Sequence, residues 1–90
     1  MSGRRTKIEI IYDILKAIQD KQGIIKPTHL LYKSNLSHQK MKLYLKELIE
    51  KELITVKHDK KGKYYMISDN GLKFLVEYKK IREFTDSFGL

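Results

Sequence analysis

The stretch from Asn35 to Ile54, NLSHQKMKLYLKELIEKELI, predicts a turn, one amphipathic helix and the start of a strand. Ser37 is a good N-cap, because its hydroxyl can accept a hydrogen bond from an amide that the first helical turn leaves unpaired. At about 100° per residue, Met41, Leu45 and Leu48 share one narrow face. We expect this face to be buried and the helix to lie on the surface of a small core.

The opposite face of this helix is polar and basic, with one apolar exception. Gln39, Leu43 and Lys46 lie there, flanked by Lys40 and Lys42. Glutamine can pair with adenine, leucine can pack on a thymine methyl group, and lysine can reach guanine or phosphate. Core packing does not explain Leu43, so this face predicts a DNA recognition helix over residues 38–51.

Length and charge favour a small module with a polyanionic partner. The chain has 90 residues, a net charge of +8 and no cysteine, and its calculated pI is near 9.7. A chain of this size buries too little surface for a deep active site beside a core. A lysine-rich surface that serves only solubility is the alternative. The absence of an apolar run long enough for a signal peptide or membrane span predicts a cytoplasmic, nucleoid-associated protein without membrane contact.

The segments before the recognition helix predict two further helices. Thr6 and Glu9 fit a capping box, and Ile8, Ile11, Leu15 and Ile18 form a buried stripe on a first helix that runs to about Lys21 and is ended by Gly23. Arg4 and Arg5 precede it in a basic tip expected to reach phosphates. Pro27 and Thr28 open a short second helix over residues 29–33, and residues 34–36 form a turn into the Ser37 cap. This is a helix-turn-helix arrangement.

After Leu53 the apolar period changes from helical to alternating, which predicts a two-stranded hairpin. Ile54 and Val56 face one way, residues 59–62 form the loop, and residues 63–67 form the returning strand. Basic residues crowd its tip. They are Lys57, His58, Lys60, Lys61 and Lys63. We expect a wing that contacts a neighbouring phosphate row or the minor groove; an exposed loop that is merely polar is the alternative.

Ser68 caps a last predicted helix over residues 69–87, which has more apolar surface than one core needs. Leu72, Leu75 and Val76 form a stripe suited to the domain's own core. A second stripe is offset from the first and consists of Phe74, Tyr78, Ile81 and Phe88. We expect this stripe to form a homodimer interface, because unpaired apolar surface is commonly covered by twofold self-association. The alternative is that the helix folds back across the first helix and buries both stripes.

Several phrases resemble a family of small archaeal winged-helix DNA-binding proteins. They are IIYDIL (residues 10–15), THLLYKSNLS (residues 28–37), Tyr44-Leu45 ahead of Leu53-Ile54, YMIS (residues 65–68) with Gly71, and IREF (residues 81–84) with FGL (residues 88–90). The resemblance spans nearly the whole chain. It implies a winged helix-turn-helix fold, DNA binding through the second helix of the motif, and a kinship with small chromosomal proteins that dimerise through an antiparallel coiled coil.

Two departures from these relatives affect what the resemblance implies. The relatives usually have glycine where this chain has Glu52, so this turn either is strained by about 1 kcal/mol or takes another shape. The last helix is short beside those of the coiled-coil members. This favours a compact dimer through Phe74, Tyr78 and Ile81 over an extended rod.

Together these patterns predict a mainly helical fold with a small β-hairpin: three helices, a two-stranded wing and a C-terminal helix. Residues 1–68 would form the DNA-binding domain, with DNA contacts that also include Ser37 and His38, and residues 69–90 the dimerisation element. The expected function is double-stranded DNA binding by a transcriptional regulator. A chromosomal architectural protein, a protein-docking module that uses Leu43, and RNA binding remain alternatives.

Catalysis is not expected. His29, His38 and His58 lie on different predicted elements, without carboxylates or cysteines at metal-ligand spacing, and the chain has no glycine-rich phosphate loop. We therefore expect no cofactor, metal or small-molecule substrate.

Overall fold

The computed structural model describes residues 5–90. Its elements, in chain order, are α1 (Lys7–Asp20), β1 (Ile24–Ile25), α2 (Pro27–Ser34), α3 (His38–Glu50), β2 (Ile54–Asp59), β3 (Gly62–Ile67) and α4 (Asp69–Ser87). The mainly helical winged helix-turn-helix architecture predicted from the sequence is confirmed. The sheet has one strand more than the predicted hairpin.

Helices α1, α3 and α4 begin where their caps predict, whereas α2 begins at Pro27, two residues before the predicted start, and its N-cap Lys26 forms no side-chain cap bond. The Thr6 hydroxyl accepts a hydrogen bond from the Glu9 amide at 3.2 Å, and the Glu9 carboxylate accepts one from the Thr6 amide at 2.7 Å, so both halves of the capping box form. The hydrogen bond from the Thr6 amide is the main cause that lowers the pKa of the Glu9 carboxyl group, and the Thr6 side chain adds to the effect. Ser37 and Ser68 cap α3 and α4 in the same way, through the amides of Lys40 and Gly71.

The core lies where α1, α2 and α3 meet the sheet. Its fully buried apolar side chains are Ile14, Leu15 and Ile18 of α1, Leu30 of α2, Leu48 of α3 and Ile54 of β2. Ile8 was predicted to lie in the buried stripe of α1, but 47% of its surface is exposed. Ile10, which that stripe omitted, is buried instead, so the core begins about half a turn later along α1.

The strand missed by the sequence analysis is β1. It pairs antiparallel with β3, with Ile24 opposite Met66 and Ile25 opposite Tyr65, so the sheet order is β1-β3-β2. A strand of two residues is too short to show an alternating pattern. Its position also depends on an edge of β3 that is formed 40 residues later in the chain. Ile25, only 2% exposed, joins the core through this pairing.

The hairpin of β2 and β3 has the predicted two faces. Ile54, Val56 and His58 lie opposite Ile67, Tyr65 and Lys63, respectively, and therefore share the inner face of the sheet. Asp59 lies opposite Gly62, which leaves Lys60 and Lys61 as the two loop residues. Gly62 has a φ of 129°, a value that side chains disfavour, and the Asp59 carboxylate accepts a hydrogen bond from the Lys61 amide at 2.8 Å.

Helix α4 docks on a different face from the one predicted. Leu75 joins the core, but Leu72 and Val76 are exposed by 38% and 53%. Phe74 and Tyr78 lie against the domain itself: the Tyr78 ring stacks on Tyr12 of α1 with centroids 4.7 Å apart. The assignment of Leu72 and Val76 to the core was therefore wrong. The alternative in which α4 folds back on α1 holds for its first half only.

A strained turn connects α3 with β2 and is bonded to the start of α4. Glu52 has a φ of 62°, the left-handed conformation that glycine adopts more easily, so the strain predicted at this position is present. Its carbonyl accepts a 2.7 Å hydrogen bond from the Ser68 hydroxyl, and the Leu53 carbonyl accepts one from the Ser68 amide. Gly71 lies so close to Leu53 and Ile67 that no Cβ fits there.

Candidate nucleic-acid interface

The outer face of α3 has the composition that the sequence predicts. Met41, Leu45 and Leu48 are buried on the inner side. The predicted contact residues are all exposed; they are Ser37, His38, Gln39, Lys40, Lys42, Leu43 and Lys46. Leu43 is 69% exposed, so the protein's own core does not account for it. The Ser37 hydroxyl already accepts the Lys40 amide as the helix cap.

The orientation of α3 relative to α1 is supported by an ion pair. Lys7 Nζ lies 2.9 Å from a carboxylate oxygen of Glu47. This hydrogen bond raises the pKa of Lys7 and lowers that of Glu47. Both side chains are exposed to solvent, so the pair contributes little to stability. It does pair Glu47, the carboxylate that directly follows Lys46 in the chain, with a cation.

Arg5 has a structural position that the sequence did not predict. Its guanidinium donates to the Asp13 carboxylate at 2.6 Å and to the backbone carbonyls of Ser34 and Asn35 at 3.2 and 3.4 Å. Arg5 therefore connects α1 to the turn that enters α3. Its role at DNA stays a prediction. Arg4, also expected to contact DNA, lies outside the described residues.

The four wing lysines point in three directions, although the sequence grouped them together. Lys63 is on the inner face of the sheet, with its Nζ 5.3 Å from the centroid of the Tyr65 ring. Lys57 is opposite Tyr64 on the outer face, and Lys60 and Lys61 form the tip. All four are exposed. Lys63 therefore reaches the groove beside α3, whereas Lys57 is on the opposite face of the sheet.

The positive charge of the candidate interface is uncompensated. No carboxylate occurs between His38 and Lys46. Within residues 5–90, no ion pair involves a lysine of this stretch or of the wing. Fifteen of the 19 lysines and arginines and seven of the 11 acidic residues precede residue 69, so this segment has the entire net charge of +8. Residues 38–63, which include α3 and the wing, have eight basic and four acidic side chains and so contribute +4 of this net charge.

A groove beside α3 brings together residues that the sequence does not predict to share one surface. It lies between α2, α3 and β3 and encloses about 340 Å³. Pro27, Thr28 and Leu31 form one wall, and Lys63 reaches it from the wing. No periodic signal predicts such a groove, because its walls come from segments that only the tertiary fold brings together.

The predicted dimer residues fall into two groups. Phe74 and Tyr78 are half-buried against the domain, whereas Ile81 and Phe88 are 61% and 65% exposed. Phe84, omitted from the predicted stripe, is also 65% exposed, and its ring contacts that of Phe88 edge-to-face at 5.0 Å. The predicted dimer residues that remain exposed are thus at the far end of α4.

Neither a metal-ligand cluster nor a membrane-spanning helix occurs in the described part of the chain. Residues 5–90 contain no group of three or more histidine, cysteine or acidic residues that could hold a metal ion. None of the helices in this range combines the length and apolar character of a membrane span.

Solved structures with this fold include the following three. Sso10a-2, a DNA-binding protein from Sulfolobus solfataricus, is 25% identical, with a TM-score of 0.76 over 94% of this chain and 90% of its own. F93 from STIV, a winged-helix DNA-binding protein, is 16% identical, with a TM-score of 0.77 over 89% and 92%. BpsR from Bordetella bronchiseptica is 18% identical, with a TM-score of 0.73 over 87% of this chain and 58% of its own.

These structural similarities support the resemblance to small archaeal winged-helix proteins that the sequence indicates. The Sulfolobus structure gives the main support. No curated protein matches the sequence. The model of one protein family matches residues 4–86, from the end of the N-terminal tip to the last turn of α4. The chain therefore belongs to the winged helix-turn-helix family.

Proposed function

We propose that the protein binds double-stranded DNA as a transcriptional regulator, with α3 in the major groove and the wing on the flanking backbone. The observation that carries the proposal is the outer face of α3. It presents Lys40, Lys42 and Lys46, none of which forms an ion pair within residues 5–90, and Gln39 and Leu43 lie between them. Lysines bind phosphates without regard to sequence, whereas glutamine and leucine can contact base edges.

The position of the wing supports the same proposal. Lys60, Lys61 and Lys63 are exposed and carry no ion pair within residues 5–90, and Lys63 lines a groove together with Lys42 of α3. A helix in the major groove places such a hairpin near the adjacent phosphates. The DNA-binding proteins Sso10a-2 and F93, which share this fold, fit the proposal.

The proposal includes a homodimer joined through the end of α4. Ile81, Phe84 and Phe88 are each more than 60% exposed on this one segment. Three large apolar side chains in water favour association with an apolar partner, and a second copy of the same segment offers one. A dimer would also present two α3 helices to DNA.

Direct titration tests the DNA proposal. The purified protein is added to a labelled duplex of random sequence at several salt concentrations, and binding is followed by fluorescence anisotropy. We expect log affinity to fall linearly with log salt, by about 0.9 for each neutralised phosphate. Absence of binding at low salt would refute the proposal. It would instead favour a protein-docking surface centred on Leu43.

A second experiment separates a regulator from an architectural protein. Repeated selection of bound duplexes from a random pool should enrich a short motif if Gln39 and Leu43 read bases. Leu43→Ala should then reduce the preference for that motif by roughly 1–3 kcal/mol, while binding to unrelated duplexes changes little. A pool that stays random after selection would favour the architectural alternative.

A further inference from the structure

The Arg5 side chain links the residue before α1 to the turn of the helix-turn-helix motif. Its guanidinium donates to the Asp13 carboxylate on α1 at 2.6 Å, and to the carbonyls of Ser34 and Asn35 at 3.2 and 3.4 Å. Ser34 is the last residue of α2, and Asn35 caps this helix in the left-handed conformation with a φ of 54°. Arg5 therefore places a cation at the C-terminal end of α2, where the helix dipole favours one.

The two carbonyls depend on Arg5 for a hydrogen bond. Within residues 5–90, no backbone amide donates to the carbonyl of Ser34 or of Asn35. Ser34 is also only 2% exposed, so water has little access to replace the bond from Arg5. Lysine is a poor substitute, because its single ammonium group cannot span acceptors that are spaced for the guanidinium fork.

We propose that Arg5 is a positioning residue for the DNA interface: held by Asp13, it orders the turn over residues 34–36 and so fixes the start of α3, and it does not act as a phosphate contact. The turn leads directly into Ser37, the N-cap of α3. If the turn loosens, only a fraction of the molecules presents α3 in the binding geometry, and the apparent DNA affinity falls by that fraction. The ordering of the turn stands independently of the proposed function, whereas its effect on DNA affinity rests on it.

Removal of Asp13 should change DNA affinity in the direction opposite to that expected from charge. Asp13→Ala removes a carboxylate from a basic protein, and electrostatics alone would then strengthen duplex binding. Because Asp13 holds Arg5, its loss should instead weaken duplex binding roughly threefold to tenfold. The matched control is Asp20→Ala on the same helix. Asp20 pairs with Lys16 within α1 at 2.7 Å, so its loss should leave duplex binding unchanged or slightly stronger.

Variants of Arg5 itself separate positioning from a phosphate contact. Arg5→Lys keeps the charge but loses the fork, so it should weaken duplex binding as much as Arg5→Ala does. In both variants the slope of log affinity against log salt, measured by anisotropy, should keep its wild-type value, because other residues neutralise the phosphates. A direct phosphate contact predicts near-wild-type binding in Arg5→Lys and a slope lower by about 0.9 in Arg5→Ala.

Amide hydrogen exchange in the free protein tests the turn without DNA. The Lys40 amide donates to the Ser37 hydroxyl at the start of α3, and the Gly71 amide donates to the Ser68 hydroxyl at the start of α4. In Asp13→Ala the Lys40 amide should exchange at least about threefold faster, because the turn that precedes its cap is less ordered. The Gly71 amide should keep its wild-type rate, which also shows that the domain stays folded.

Three results would overturn the proposal. They are duplex binding by Asp13→Ala that is at least as tight as in the wild type, wild-type affinity in Arg5→Lys, and an unchanged exchange rate at Lys40 in Asp13→Ala. A wild-type protein that binds no duplex would refute the proposed function alone. Faster exchange at Lys40 in Asp13→Ala would in that case still support the ordering of the turn by Arg5.

Discussion

Helices α3 and α4 both expose apolar side chains, but their electrostatic surroundings differ. Leu43 on α3 is surrounded by unpaired lysines, whereas Ile81, Phe84 and Phe88 are on a helix segment whose charges balance. Residues 69–90 have four basic and four acidic side chains and therefore no net charge. An exposed leucine surrounded by positive charge is suited to contact DNA. An exposed aromatic cluster in a segment without net charge is suited to contact a protein surface.

The largest effect should come from removing the apolar end of α4. Phe84→Ser with Phe88→Ser should raise the dissociation constant of the dimer by at least about 100-fold, because four buried rings are lost for each dimer. Sedimentation velocity measures the change. The matched control is Leu43→Ser, which removes an equally exposed apolar side chain from α3 and should leave the dimer intact. A wild-type protein that already sediments as a monomer would contradict this prediction.

A smaller effect should come from the basic face of α3. Lys42→Ala with Lys46→Ala should weaken duplex binding roughly 10- to 100-fold near 0.1 M salt, because two phosphate contacts are lost. Lys73→Ala with Lys79→Ala, exposed lysines of α4, removes the same charge and should have little effect. Equal losses for both pairs would show that only total charge matters. The difference between the two helices would then disappear.

The wing lysines can be tested through the salt dependence of DNA binding. Lys60→Ala with Lys61→Ala should lower the slope of log affinity against log salt by up to about two, because both tip lysines are placed to neutralise phosphates. Lys57→Ala, on the outer face of the hairpin, should change the slope less. An unchanged slope for the tip variant would exclude the wing from the DNA interface.

The docked start of α4 is tested through stability. Gly71→Ala adds a Cβ that would lie 2.6 Å from Ile67 Cγ1 and closer still to the Leu53 carbonyl oxygen. We expect a loss of about 1–3 kcal/mol in the free energy of unfolding, measured by denaturant titration. Asn70→Ala, at the exposed neighbouring position, is the control. A neutral Gly71→Ala would mean that α4 is only loosely attached to the domain.

The smallest expected effect is a gain in stability at the end of α3. Glu52→Gly should raise the free energy of unfolding by about 1 kcal/mol, because glycine adopts the left-handed φ of 62° without strain. Glu50→Gly, at a helical position two residues earlier, should lower it. Thermal denaturation of both variants checks the opposite signs. A loss of stability in Glu52→Gly would mean that the glutamate side chain compensates the strain.

Sequence reasoning succeeded where the signal is local. Caps at Thr6, Ser37 and Ser68 depend on residues three positions away, and the inner face of α3 depends on helical periodicity alone. The outer face followed as the complement of the buried one. The strain at Glu52 followed from comparison with glycine in resembling proteins, and the positive φ confirms it.

Sequence reasoning failed where contacts between segments far apart in the chain determine the structure. Strand β1 exists because β3 offers it an edge, and Ile24 and Ile25 alone carry no alternation. Helix α4 presents several apolar combinations, and periodicity cannot choose among them. The stacking of Tyr78 on Tyr12 and the close approach of Gly71 to Leu53 determine which face of α4 packs on the domain, and both depend on tertiary packing. The contacts of Arg5 were not predicted for the same reason, because its partners lie on α1 and α2.

The two hydrogen bonds from Ser68 to the turn after α3 have a geometric consequence for the proposed dimer. They hold the beginning of α4 against the turn that follows α3, one through the Ser68 hydroxyl and one through its amide. If two copies associate through the far ends of α4, the two α4 helices determine how far apart the DNA-binding domains lie. The distance between the two α3 helices, and with it the spacing of the half-sites on DNA, is then set by the crossing of α4 with its symmetry mate.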